Sequence, residues 1–169
     1  MPTQKELDRV FLNIAKEVAT LSYCQRSKVG AVIEKDGNLI SFGYNGMPSK
    51  MDNCCENKKY KVEDSSSWLD TEELDEIWPY VDNNGNRYTL ETKQEVLHAE
   101  SNSILKAAKT GHAVNGATLF LTLSPCLECC KLIIQSGIKR IVYLENYRSL
   151  DGVNFLKQFI IVEQYDTSI

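Results

Sequence analysis

One imidazole and two thiols, set in two short motifs, are the residues of this 169-residue chain best suited to chemistry. His98-Ala99-Glu100 opens one stretch of helical periodicity, and Pro125-Cys126-Leu127-Glu128-Cys129 opens another. Nitrogen and sulfur donors suit zinc, and three protein ligands (His98, Cys126 and Cys129) leave the fourth tetrahedral position open for water, as a catalytic zinc requires. A structural site would call for a fourth protein ligand. Zinc lowers the pKa of bound water from about 15.7 to roughly 7. Glu100, two residues beyond His98, can sit beside the metal without ligating it. In a dry pocket its carboxylate can take a proton and deliver it first to a ring nitrogen and then to a leaving amine.

A Cys-x-x-Cys pair alone reads equally as structural zinc, redox centre or accident. The combination is far more specific: His-x-Glu with Pro-Cys-x-x-Cys is the signature of zinc deaminases acting on cytosine or adenine. The chain has two histidines, and the second, His112, follows the helix-ending Gly111 and reads as a surface residue. Cys130 points elsewhere on its helix and reads as a buried neighbour of the pair.

The elements that must position these groups follow from the pattern around them. Ser124 is expected as an N-cap with Pro125 at the first helical position, which puts Cys126 and Cys129 in the first turn of a helix from Cys126 to Ser136 closed by Gly137. Amide donors and the helix dipole favour thiolates there. A second helix, Ala99 to Lys109, is expected to bury Ile104, Leu105 and Ala108 and to end at Gly111. Upstream, Thr3 with Glu6 forms a capping box for a helix to about residue 21, its apolar face set by Leu7, Val10, Phe11, Ile14, Val18 and Leu21. Val29 to Ile33 and Leu39 to Tyr44 flank Lys35-Asp36-Gly37-Asn38, a hairpin signal. Ala117 to Leu123 and Lys139 to Leu144 are further strands. Leu150, Leu156 and Phe159 mark a last helix before a short strand, Ile160 to Val162.

The stretch from about 46 to 92 is polar, with one expected helix around Trp68 to Trp78, and reads as a long excursion whose length calls for a function. The rest predicts an α/β fold: a mixed five-stranded sheet with helices on both faces, in three α/β/α layers, forming a single domain over 1–169. The formal net charge of -4, from 19 basic and 23 acidic residues, argues against a partner with many phosphates to neutralise, though one or two cations suffice for a single phosphate. No apolar run has the length of a membrane span and Met1 to Arg9 is too polar for a secretory signal, so a cytoplasmic location is expected, with no nucleic-acid or membrane partner. Crowded cysteines fit metal ligation in a reducing compartment better than a disulfide framework.

Four stretches resemble the deoxycytidylate deaminases of phage and eukaryotes, within the cytidine deaminase superfamily. They are Ser27-Lys28-Val29-Gly30-Ala31-Val32-Ile33, Gly43-Tyr44-Asn45-Gly46-Met47-Pro48, His98-Ala99-Glu100-Ser101-Asn102-Ser103-Ile104, and Thr122-Leu123-Ser124-Pro125-Cys126-Leu127-Glu128-Cys129-Cys130 through Lys139. The resemblance covers most of the chain outside 50–92 and implies a cytidine-deaminase-like fold and conversion of dCMP to dUMP and ammonia. It also implies a hexamer activated by dCTP and inhibited by dTTP, with magnesium accompanying the nucleotide. Carried onto this chain, His98, Cys126 and Cys129 resemble the zinc ligands and Glu100 the proton shuttle. Asn45 matches a deoxyribose contact, with Ser124 and Pro125 beside it as candidate substrate contacts. Tyr44, Asn45 and Gly46 resemble the segment around the regulatory nucleotide. For the phosphate, Arg26 is the best local cation, ahead of Lys28, Lys50, Lys58 and Arg87.

The chain departs from the pattern of members that hold a second zinc through a cysteine near Cys24, another near Cys54 or Cys55, and a histidine. Tyr88 stands where that histidine is expected, so this site is read as absent or remodelled, with Cys24 and Cys54 as buried small residues and a mutual disulfide disfavoured by compartment. Other substrates remain as alternatives: dCTP, free cytidine, or cytosine or adenine in a polynucleotide. The non-enzyme alternative is a binding protein with structural zinc, which would leave Glu100 without a task.

Overall fold

A computed structural model describes residues 2–62 and 69–166. In chain order the elements are α1 (Gln4–Ala19), β1 (Gly30–Lys35), β2 (Asn38–Tyr44), β3 (Glu56–Tyr60), α2 (Thr71–Ile77), β4 (Tyr80–Val81) and β5 (Arg87–Thr92). There follow α3 (Ala99–Lys109), β6 (Thr118–Leu123), α4 (Leu127–Gln135), β7 (Arg140–Glu145), α5 (Asp151–Leu156) and β8 (Ile161–Gln164). Five strands form a mixed sheet in the order β2-β1-β6-β7-β8, antiparallel across β2, β1 and β6 and parallel from β6 to β8. Among the described residues no helix is long and apolar enough to cross a membrane.

The period-2 alternation of strand side chains divides the core into two layers. Val32, Phe120 and Val142 face α1, where they meet Phe11, Leu12, Ala15 and Val18, and the Phe11 and Phe120 rings stack at 5.1 Å. Their strand neighbours Ala31, Ile33, Leu119, Leu121, Ile141 and Tyr143 face the opposite way, against α3, α4 and α5. Full burial of each large side chain contributes roughly 1.5–3 kcal/mol, which makes this sheet the main source of stability. Beneath α1 the buried Asp8 takes both Nη atoms of Arg140 at 2.8 and 2.7 Å, while Arg140 Nε bonds Glu163 at 2.6 Å.

The capping box at Thr3 and Glu6 is present, and the β1–β2 hairpin turns through Asp36 and Gly37 at φ 53° and 81°, the left-handed pair such a two-residue turn requires. Other expectations are corrected. The helix after β6 begins at Leu127 with Cys126 itself as N-cap, because Ser124 is drawn into accepting the Tyr147 N–H at 2.8 Å and Pro125 stays outside the helix. In α3 the buried face is Ala99, Glu100, Ser101, Ser103 and Ala107, whereas Leu105 is 56 % exposed and Ala108 is exposed too. Small side chains face inward there because α3 packs directly on the β2 backbone: a Cβ at Gly43 would fall on Ser103 N and Ala99 O. Phe159 lies beyond α5 and is exposed.

The excursion is more ordered than its polarity suggests. Its three strands form a separate antiparallel sheet, β3-β5-β4, and α2 is started by a capping box of Asp70 and Glu73. Trp68, where the sequence starts the helix, lies outside the described residues.

Candidate active site

Three chain segments converge above the α3–α4 side of the sheet. A two-way backbone bridge, Gly46 N to Leu97 O at 3.0 Å and Leu97 N to Gly46 O at 2.9 Å, holds the approach to α3 and so places His98. Cys126 and Cys129 sit at the N-cap and third positions of α4. Both sulfurs lie 3.4 Å from His98 Nδ1, and the three donor atoms fall within 4.8 Å of one another. Donors bound tetrahedrally to one zinc at about 2.0–2.3 Å stand roughly 3.5 Å apart, so this set fits that ion in both spacing and chemistry.

The Cys129 thiol donates to Cys126, which holds Cys126 down with help from His98; the same bond, with burial, pushes Cys129 up. The His98 imidazole is raised by its hydrogen bond to Cys126 against the opposing effect of burial. Glu100, 4 % exposed on the first turn of α3, has its carboxyl pushed above the ordinary range by burial.

His98, Glu100 and Cys126 open onto a cavity of about 810 Å³ that Asn45, Arg26 and Ser124 also line. Asn45 is already half-engaged: its Oδ1 accepts from Val29 N at 2.8 Å and its Nδ2 donates to the Ser27 carbonyl at 2.8 Å. One amide hydrogen and one lone pair are left for a ligand. Arg26 reaches Thr92 Oγ1 through Nη1 at 3.1 Å.

Pro125 departs from its expected place as a substrate contact. It is buried and does not line the cavity, because α5 closes over it: a Cβ on Gly152 would strike the Pro125 carbonyl. Tyr44 and Gly46 line a different cavity, about 400 Å³, with Met47, Pro48, Lys106 and Lys109, so the Tyr44-Asn45-Gly46 segment serves two spaces. Of the weaker cations, Lys58 lies over the Tyr88 ring and Arg87 bonds Asp75 and the Trp78 carbonyl; neither they nor Lys28 and Lys50 line the larger cavity.

Cys24 forms a disulfide, although the sequence disfavours one and offers Cys54 as its partner; the partner is Cys55, because the excursion returns β3 to the loop after α1 with the two Cα atoms 5.2 Å apart. Cys54 is exposed rather than buried, Cys130 is buried, and His112 is exposed beside Thr110. Sequence reasoning missed Lys93, Tyr147 and Arg148 on the cavity wall and the buried Glu56, since none sits in a motif.

Comparison with known proteins follows the same lines. Residues 5–145 match the model of the cytidine and deoxycytidylate deaminase zinc-binding region. The chain is 39 % identical over 152 residues to deoxycytidylate deaminase of Enterobacteria phage T4, covering 80 % of this chain and 76 % of that one. It is 34 % identical over 143 residues to the deoxycytidylate deaminase of Mycobacterium phage D29, with 83 % and 96 % covered. The crystal structure of dCMP deaminase from the cyanophage S-TIM5, in complex with dCMP and dUMP, superimposes with a TM-score of 0.73 at 32 % identity, over 96 % of this chain and 99 % of that one.

Proposed function

We propose, since the chain belongs to the cytidine and deoxycytidylate deaminase family and is a zinc-dependent nucleotide deaminase, that its substrate is dCMP, hydrolysed to dUMP and ammonia. The observation that carries this reading is one cavity lined at once by the His98 and Cys126 donors, the buried Glu100 carboxyl, Asn45 and the arginine Arg26. A nucleoside monophosphate presents an amino-substituted ring, a sugar and one dianion, and these residues match the three parts.

His98, Cys126 and Cys129 would hold zinc, which supplies when bound a Lewis acid able to make water nucleophilic near neutral pH. Glu100 is outside that ligand set, so its carboxylate is free to accept one proton of the attacking water and pass it to the ring nitrogen, then to take the second proton from the hydroxyl so added to the ring carbon and pass it to the amine, which departs as ammonia as the C–N bond breaks. Its burial keeps bulk water from intercepting the proton. Asn45, clamped to Ser27 and Val29, offers its remaining hydrogen and lone pair to a sugar hydroxyl. Arg26 meets the phosphate, where a guanidinium can form a bidentate fork. Ser124 shapes the wall through its hydroxyl bond to Tyr147 N.

The same reading takes residues 1–169 as one cytoplasmic deaminase domain assembling as a homohexamer, activated by dCTP and inhibited by dTTP. The second cavity supports a regulatory nucleotide: Lys106 and Lys109 offer charge to its phosphates, which magnesium would accompany, beside Tyr44 and Gly46.

The test measures zinc content, substrate binding and product formation for the wild type and Glu100→Ala on dCMP, deoxycytidine and a short single strand. Wild type is expected to prefer dCMP. The variant should keep zinc and dCMP binding while turnover falls by at least about 10³-fold, the upper part of the range for one acid–base group. A wild type that prefers the single strand overturns the substrate, and a variant that keeps a tenth of wild-type turnover overturns the shuttle.

A further inference from the structure

Among the described residues Glu56 is the most deeply buried carboxylate of the excursion, and it binds no cationic side chain there. Its Oε1 instead accepts two successive backbone N–H groups, from Gln25 at 2.9 Å and Arg26 at 3.2 Å. Glu56 stands opposite Thr92 in the β3–β5 ladder, and Thr92 Oγ1 takes the Arg26 guanidinium at 3.1 Å. The next residue, Lys93, donates its backbone N–H to the Cys55 carbonyl at 2.9 Å, and Cys55 is joined to Cys24. Among the described residues of 46–92, only Cys55, Glu56 and Leu90 are buried, so the excursion spends two of its three buried side chains on gripping residues 24–26.

From this we infer that the excursion builds the phosphate end of the substrate pocket: Lys93 is a second cation beside Arg26, and Glu56 is the positioning residue that sets their geometry. The inference rests on the proposed reading of the site as one for a nucleoside monophosphate. Both cations line the large cavity, and neither is in an ion pair with a carboxylate among the described residues. A phosphate monoester carries about −1.5 to −2 charge near pH 7, more than one guanidinium neutralises. The Thr92 bond uses one of five Arg26 donors and leaves the fork for the ligand. A carboxylate on two backbone amides is a strong, charge-assisted clamp, well suited to fixing where the next side chain leaves the chain. The excursion would thereby make a general pyrimidine deaminase core selective for phosphorylated substrates.

The experiment compares kcat and KM for dCMP and for deoxycytidine in the zinc-loaded wild type and in Lys93→Gln, Glu56→Gln, Glu56→Ala and Arg148→Gln. Lys93→Gln should lower kcat/KM for dCMP by about 10–100-fold, the worth of one charged hydrogen bond, almost wholly through KM, and leave deoxycytidine unchanged. Glu56→Ala should show the same selective rise in KM, and Glu56→Gln, which keeps an acceptor oxygen for the two amides, should recover most of it. Equal losses on both substrates, or a selective loss in Arg148→Gln and not in Lys93→Gln, overturn the inference while leaving dCMP as substrate. A wild type that prefers another pyrimidine nucleotide, and loses that preference in Lys93→Gln, keeps the inference and removes dCMP from the proposed function. A wild type indifferent to the phosphate removes both.

Discussion

The five-stranded sheet and the excursion are built on opposite terms. In the sheet, β1 and β6 each bury their first four residues and helices cover both faces, so side chains there are fixed by packing. In the excursion, β3 is exposed at every position after Glu56, and the β3-β5-β4 sheet is held by rings on its surface. Tyr88 meets Tyr60 at 5.6 Å and Tyr80 at 5.4 Å, with Lys58 Nζ 4.5 Å from its centroid. A small sheet with only Glu56 and Leu90 buried is marginal by itself. Stability and chemistry are therefore separated: the sheet carries the fold, together with the residues proposed for zinc and proton transfer, and the excursion shapes one wall of the pocket.

Breaking the core ion pair should show that separation most strongly. Asp8→Ala leaves the partly buried Arg140 with only the half-exposed Glu163 for a partner, a lesion bounded above by the cost of about 3–5 kcal/mol in fully buried pairs. The urea midpoint should fall accordingly, and activity per folded molecule should survive because neither residue lines the cavity. Gly43→Ala comes next. Its Cβ would be forced onto backbone atoms of α3 at Ser103 N and Ala99 O, at a cost of about 1–3 kcal/mol for overpacking. Because Ala99 lies between His98 and Glu100, turnover should fall by more than the stability loss explains; a variant that is destabilised with unchanged kcat would break the link between this packing contact and the site.

These two regions were also unequally legible in the sequence. The His98, Cys126 and Cys129 donor set, Glu100 and the five sheet strands stood out because ligand chemistry and apolar runs leave marks within a few residues. The three excursion strands did not, since Glu56-Asn57-Lys58-Lys59-Tyr60 has no apolar alternation and pairs through its backbone and rings. Leu105 and Ala108 were misassigned to the core because periodicity reports an apolar stripe and not the close backbone approach at Gly43 that selects small residues for the buried face. The N-cap moved from Ser124 to Cys126 for a tertiary reason: Tyr147 N competes for the serine hydroxyl. Glu56, Lys93 and Arg148 carry no local mark at all; only the return of the chain past residues 24–26 and past α5 brings them to the cavity wall.

Tyr88→Ala should give the smallest effect on global stability and the clearest test of the contrast. The substitution removes two ring contacts and a cation–π contact, each worth about 0.5–1.5 kcal/mol where such pairs have been measured. That loss falls on a sheet with few buried side chains to couple it to the core, so it should appear as local unfolding and leave the global midpoint within about 0.5 kcal/mol of wild type. Amide exchange in 56–60 and 87–92 should quicken by about tenfold or more, and exchange in β1, β6 and β7 should stay as it was. Because β5 ends at Thr92, next to Lys93, loosening it should also raise the KM for dCMP while kcat holds, a shift that loss of a core contact would not produce. If exchange instead quickens equally across both sheets, the excursion and the core unfold as one cooperative unit, and the separation of stability from substrate selection fails.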